Sequence, residues 1–146
     1  MSLLLTWPFM VGACAAAIYA SLLRLFDSQR AQQLYAAGLL TAALIYVGFA
    51  GLNHGTAHLG LELAGLLIFG LLSVIGSRRW PLILGAGWLA HGGWDFWHGA
   101  HPASYVASWW PGFCVGFDWV VGVYILAIHA RRKSAGYSSR QISLKS

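Results

Sequence analysis

His91, Asp95 and His98 stand at i, i+4 and i+7 within the stretch HGGWDFWHGAH at 91–101. That spacing puts all three on one face of a helix. Imidazole and carboxylate together suit a borderline or hard cation such as zinc, iron or manganese. They could equally form a proton site. The stretch closes a hydrophobic segment long enough to cross a bilayer, where ionisable groups are costly and by default functional.

Two further stripes have similar chemistry. His58 and Glu62 are i, i+4, and so are Cys114 and Asp118. Asp95-x-x-His98 echoes the Glu-x-x-His pairs that hold two irons in helical bundles. Such sites use two pairs, and this chain has one, with Asp in place of Glu. A mononuclear site is easier to build, with three ligands drawn from His58, His91, Asp95, His98 and Asp118. Glu62 then acts as general base on a metal-bound water.

The elements that must position these groups follow from composition. The chain has 146 residues, 58% hydrophobic and 9% charged, with a mean hydropathy of +0.64. Soluble domains carry about 25% charged residues, so this is an integral membrane protein, all-α. Its length suits one small bundle and leaves no room for a soluble catalytic domain. Cys14 and Cys114 sit in apolar stretches and fit neither a disulfide framework nor a paired-thiolate zinc site.

Five apolar stretches, at about 3–26, 33–52, 56–76, 80–97 and 111–130, approach the roughly 20 residues needed to span the hydrocarbon core. No basic segment precedes the first, which therefore reads as a retained span and not a cleaved leader. Arg24 and Arg30 follow span one, and Arg78 and Arg79 follow span three. Arg131, Arg132, Lys133, Arg140 and Lys145 follow span five. All basic residues thus fall on one side, which the positive-inside rule makes cytoplasmic, with the N-terminus outside and the C-terminus in the cytoplasm. The +5 charge reports this topology, not a nucleic-acid partner. Residues 134–146 read as a polar, disordered cytoplasmic tail, completing a 1–133 bundle in a cell membrane, the bacterial inner membrane by expectation.

The same topology fixes depth. Glu62, His91, Asp95 and Asp118 fall within roughly 10 Å of the outer boundary at 1.5 Å per residue. Every acidic residue except Asp27 is in this layer, while the cytoplasmic half holds no acid and only His129 at its edge. His54 and His101 lie in or next to loops and read as wet interfacial groups, with Asn53 or Thr56 capping span three. Gly112 and Gly116, with Gly85, Gly87, Gly92 and Gly93, read as thin faces that let helices approach closely in lipid. Trp7, Trp80, Trp109 and Trp110 read as interfacial anchors.

HGGWDFWHGAH, followed by WWPGFCVGFDWV at 109–120, resembles an uncharacterised family of small bacterial integral membrane proteins. The likeness covers roughly Gly48 to Ala130, includes Glu62, and implies no activity. A fainter likeness is to membrane-embedded metal hydrolases of the alkaline ceramidase and progestin-receptor type, which set acids and histidines from several helices around zinc. This chain departs from them in having five spans and not seven, so the likeness is one of analogy.

Together these observations predict a metal-dependent membrane enzyme, hydrolase-like, acting on a lipid or amphiphile near the outer leaflet. A divalent ion, zinc or iron, is the expected cofactor. Membrane lipids are the expected surroundings. The rivals are a metal-ion or proton transport protein, which one shallow polar layer serves poorly, and a haem-binding or accessory membrane subunit.

Overall fold

The computed structural model describes residues 7–53, 56–102 and 104–143. Among them the chain is helical, with no strand: α1 (Trp7–Leu23), α2 (Ser28–Leu52), a 3₁₀ turn (Thr56–His58), α3 (Leu59–Arg78), α4 (Pro81–Ala100) and α5 (Trp110–Ser143). Residues 3–6 of the first expected span, and His54, lie outside the described residues.

Local chemistry sets the boundaries. Asp27 caps α2, its Oδ1 accepting from the N–H groups of Gln29 and Arg30 at 3.1 and 3.0 Å. This cap starts the helix at Ser28, five residues before the expected boundary. Asn53 is the C-cap of α2, not the N-cap of span three, and its Nδ2 donates to the Tyr105 carbonyl at 3.0 Å. Pro81 occupies the first turn of α4, where its missing N–H costs nothing. That helix runs on to Ala100, so His98 lies within its last turn. The backbone of α5 continues as helix to Ser143, where a disordered tail was expected from residue 134. The only helix breaker in that extension is Gly136, which weakens a helix without ending it.

Among the described residues three helices, not five, are long and apolar enough to cross a membrane: α2, α3 and the Trp110–Arg131 part of α5. In α1 the described helix has only 17 residues. In α4 the length suffices at 20 residues, but His91, Asp95 and His98 lower its apolar character. The groups that make it chemically interesting therefore remove it from the set. The surface of the bundle is nonetheless apolar along its length, with Ile18, Leu44, Leu67, Leu71 and Val123 exposed, as a membrane protein requires.

The helices do not pack in chain order. α5 lies between α1 and α4, α3 packs between α2 and α4, and α2 also reaches α4. Glycines set the closest approaches. A Cβ on Gly12 of α1 would strike the Phe113 carbonyl oxygen, and one on Gly116 of α5 would strike that of Phe9. Gly116 thus serves the packing role expected of it, with Gly12 as its partner. Gly85 and Gly122 also face each other across α4 and α5, where a Cβ on either would meet a leucine side chain (Leu126 or Leu89) and stand 3.3 or 3.0 Å from the other glycine's carbonyl oxygen. Where side chains are small, backbones approach and dispersion contacts accumulate without help from water. Below these contacts Leu39, Leu84, Trp88 and Val121 form a fully buried core, and the Trp88 indole N–H donates to the Tyr35 carbonyl at 3.1 Å.

Candidate metal centre

The close pairing of α4 with α5 brings three ionisable groups together in the interior. His91 and Asp95 share a face of α4, and Asp118 faces them from α5. All three are at most 1% exposed. His91 Nδ1 lies 2.6 Å from Asp118 Oδ2 and 3.3 Å from Asp95 Oδ2. One potential ligand atom from each lies within 4.8 Å of the others, a group able to hold a metal ion. A small glycine side of α4 permits this: a Cβ on Gly92 would stand 3.2 Å from the Asp118 Cβ and collide with Trp119.

The charges do not balance. Even with His91 as an imidazolium, two carboxylates leave one negative charge over, unless one of them is protonated. The arginines of the described residues, Arg24, Arg30, Arg78, Arg79, Arg131, Arg132 and Arg140, stand away from this group: Arg78 is in the last turn of α3, and Arg131, the first of them on α5, lies more than three turns beyond Asp118. His91 Nε2 and both Asp95 oxygens are buried without a hydrogen-bond partner. Buried polar atoms left unpaired are costly and uncommon. A bound cation or a shared proton would meet the deficit.

A second group adjoins the first. Glu62, in the first turn of α3, accepts from the Tyr105 hydroxyl on Oε1 at 2.6 Å, and the same oxygen lies 2.9 Å from His98 Nε2. His98 Nδ1 also contacts the Trp94 carbonyl at 3.1 Å. A carbonyl only accepts, so Nδ1 carries a hydrogen. The Nε2–Glu62 contact then requires one more proton, on His98 or on Glu62. The pair therefore holds a proton between two buried groups. Tyr105 sits in the loop after α4, anchored by Asn53 at its carbonyl and stacked on His58 at 5.2 Å. Burial first, and then its bond to Glu62, push the Tyr105 phenol above its ordinary range.

Tyr46 of α2 joins the two groups. Its ring packs 4.5 Å from that of His98 and 6.2 Å from that of His91. Its buried hydroxyl lies beside the Asp95 carboxylate without completing a hydrogen bond.

Of the residues expected to form one shell, His91, Asp95 and Asp118 come together. His98 pairs with Glu62 instead. His58 is exposed and stacks on Tyr105, away from the carboxylates. It leaves the ligand set because the 3₁₀ turn at Thr56–His58 ends before the stripe with Glu62 can form on one helix. His101 is exposed and its Nδ1 contacts the Trp97 carbonyl at 3.0 Å, in keeping with an interfacial group. Cys114 is buried one turn before Asp118. Tyr46 and Tyr105 were not anticipated. A tyrosine in the middle of an apolar span is the one available signal for Tyr46, since a buried hydroxyl ordinarily finds a partner. Nothing local marks Tyr105.

The fold and the buried group together define, among the described residues, an all-helical chain with three helices long and apolar enough to cross a membrane and an internal carboxylate–imidazole group that could hold a metal ion. The chain belongs to a family of unknown function, DUF6010, whose model matches residues 7–131. The match covers every group described above and agrees with the resemblance to an uncharacterised family. No curated protein and no solved structure matches the chain. Nothing in these comparisons supports the likeness to alkaline ceramidases and progestin receptors.

Proposed function

We propose that this chain is a five-span membrane protein, N-terminus outside and C-terminus cytoplasmic, that binds one divalent cation, zinc or iron, at His91, Asp95 and Asp118. The observation that supports it is that His91 Nε2 and Asp95 Oδ1 are buried without a hydrogen-bond partner beside Asp118, while Asp95 Oδ2 reaches only His91 Nδ1 at 3.3 Å. Three protein ligands leave coordination positions open, the pattern of catalytic and not structural sites. The ion would supply Lewis-acid polarisation and an acidified water. The reaction class we favour is hydrolysis of a lipid or amphiphile entering from the outer leaflet.

The chain's own residues then divide the work. Asp118 orients His91. The Glu62–His98 pair, already holding a proton, gives and takes protons within the same layer. Tyr105 keeps the Glu62 carboxylate in place from the loop side, and Tyr46 separates the pair from the carboxylates. The role of Glu62 changes from the expected base beside the ion to one member of a separate proton-holding pair.

Elemental analysis of full-length protein purified without chelators tests the reading. About one equivalent of zinc or iron is expected in the wild type, falling below about a tenth in His91→Ala. Wild-type protein with less than about a tenth of an equivalent of any transition metal would overturn it.

A further inference from the structure

At the end of the bundle away from His91 and Asp118, α1, α2, α4 and α5 border a half-open cavity of about 390 Å³. Part of its wall is apolar, with Leu23, Phe26 and Ile128, and part is polar, with Arg24, Tyr124 and His129. No carboxylate lines it.

Two of these polar groups lack protein partners suited to them. The Arg24 guanidinium lies 5.9 Å from the centre of the Tyr124 ring and makes no ion pair among the described residues. The nearest acid in sequence, Asp27, is committed to the α2 cap and to Arg30 at 3.4 Å. Those bonds, the Arg30 N–H foremost, hold its carboxyl below the usual range. The Tyr124 hydroxyl is buried and has no hydrogen-bond partner. Arg24 therefore brings a cation without an ion-pair partner to the cavity, and the unused Tyr124 hydroxyl lies buried in its wall, with apolar side chains beside them.

We propose that this cavity binds an anionic phospholipid of the cytoplasmic leaflet, its phosphate held by Arg24 and the Tyr124 hydroxyl and its acyl chains leaving along Leu23, Phe26 and Ile128. A guanidinium matches the planar face of a phosphate with two parallel hydrogen bonds. Basic pockets between membrane helices on the cytoplasmic side are where such headgroups lodge. The volume is in the range of sites that enclose small ligands, about 300–1,000 Å³. The apolar wall decides between sources: a free phosphate would leave it idle, whereas a lipid uses both halves. The proposal rests on the membrane-spanning reading and is independent of any metal at His91.

Full-length protein in detergent, titrated with phosphatidylglycerol or phosphatidylcholine and followed by native mass spectrometry, tests it. Phosphatidylglycerol should be retained with at least about a fivefold preference, which Arg24→Gln should abolish and Arg78→Gln should leave in place. Tyr124→Phe removes only a hydroxyl without a protein partner, so it should weaken retention while the thermal unfolding curve stays unchanged. Three results would each overturn the proposal: equal retention of both lipids, equal losses in Arg24→Gln and Arg78→Gln, or displacement of the lipid by glycerol 3-phosphate.

Discussion

His91 Nδ1 stands 2.6 Å from Asp118 Oδ2, a contact between fully buried groups that ties α4 to α5. Removing one member of such a pair leaves the other buried and unpaired, at about 3–5 kcal/mol. Asp118→Ala should therefore lower the unfolding temperature in detergent strongly. Asp118→Asn keeps an acceptor oxygen for Nδ1 and should lower it less. Identical losses would mean that the carboxylate charge, and neither packing nor the retained acceptor oxygen, makes the contribution.

Besides the Asn53 bond to its carbonyl, Tyr105 ties its loop to the bundle core through its hydroxyl, which donates to Glu62 at 2.6 Å. A hydrogen bond to a charged group contributes about 1.5–3 kcal/mol. Tyr105→Phe should thus raise amide hydrogen exchange in residues 101–109 by roughly tenfold or more, with α3 and α4 unchanged. Unaltered exchange there would remove the bond as the loop's anchor.

Glycine packing separates positions of one residue type. Gly116→Leu should displace α1, because its Cβ meets the Phe9 carbonyl oxygen, which belongs to backbone and cannot rotate away. Overpacking of this kind costs about 1–3 kcal/mol. Gly93 has open space where a Cβ would be, so Gly93→Ala should be neutral or stabilising by up to about 1 kcal/mol. Thermal unfolding of the two variants side by side checks both.

Asp27 gives a pH signature at the other end of the bundle. Its carboxyl is held below the usual range in the folded state by the Arg30 and Gln29 N–H groups and the Arg30 charge. A depressed acid stabilises the fold above its unfolded pKa of about 3.9 and loses that contribution as pH falls through the folded value. The difference in unfolding temperature between wild type and Asp27→Asn should be larger at pH 7 than at pH 3. A difference independent of pH would show that the charge is irrelevant to the cap.

The five-span topology predicts opposite exposures for two loops. In intact cells, a cysteine at Ala107 should react with a membrane-impermeant maleimide, and one at Arg79 should react only after the membrane is opened. The reverse pattern would invert the orientation, and equal labelling would exclude the crossing of α4.

Much of the architecture is legible in composition and charge. Helices of this apolar content cannot satisfy their backbone in lipid in any other open form, and the arginines after alternate helices distinguish the two ends. The layer of Glu62, His91, Asp95 and Asp118 is predicted from that charge pattern together with helical rise. Span length was less readable in α4, because the polar groups that carry the chemistry also reduce its hydropathy.

The pairing inside that layer belongs to the tertiary structure. An i, i+4 spacing states which residues share a face but not which helix that face meets. The glycine contacts of α5 with α1 and α4 turn Asp118 toward His91, while α3 presents Glu62 to His98. One expected shell therefore divides into a carboxylate-rich group and a proton-holding pair, with Tyr46 between them from a helix that carries no acid. The sequence by itself determined the types of group and their shared faces, through helical geometry, and from the cost of charge in lipid it predicts a common depth. Only the packing of the helices decided which of them touch.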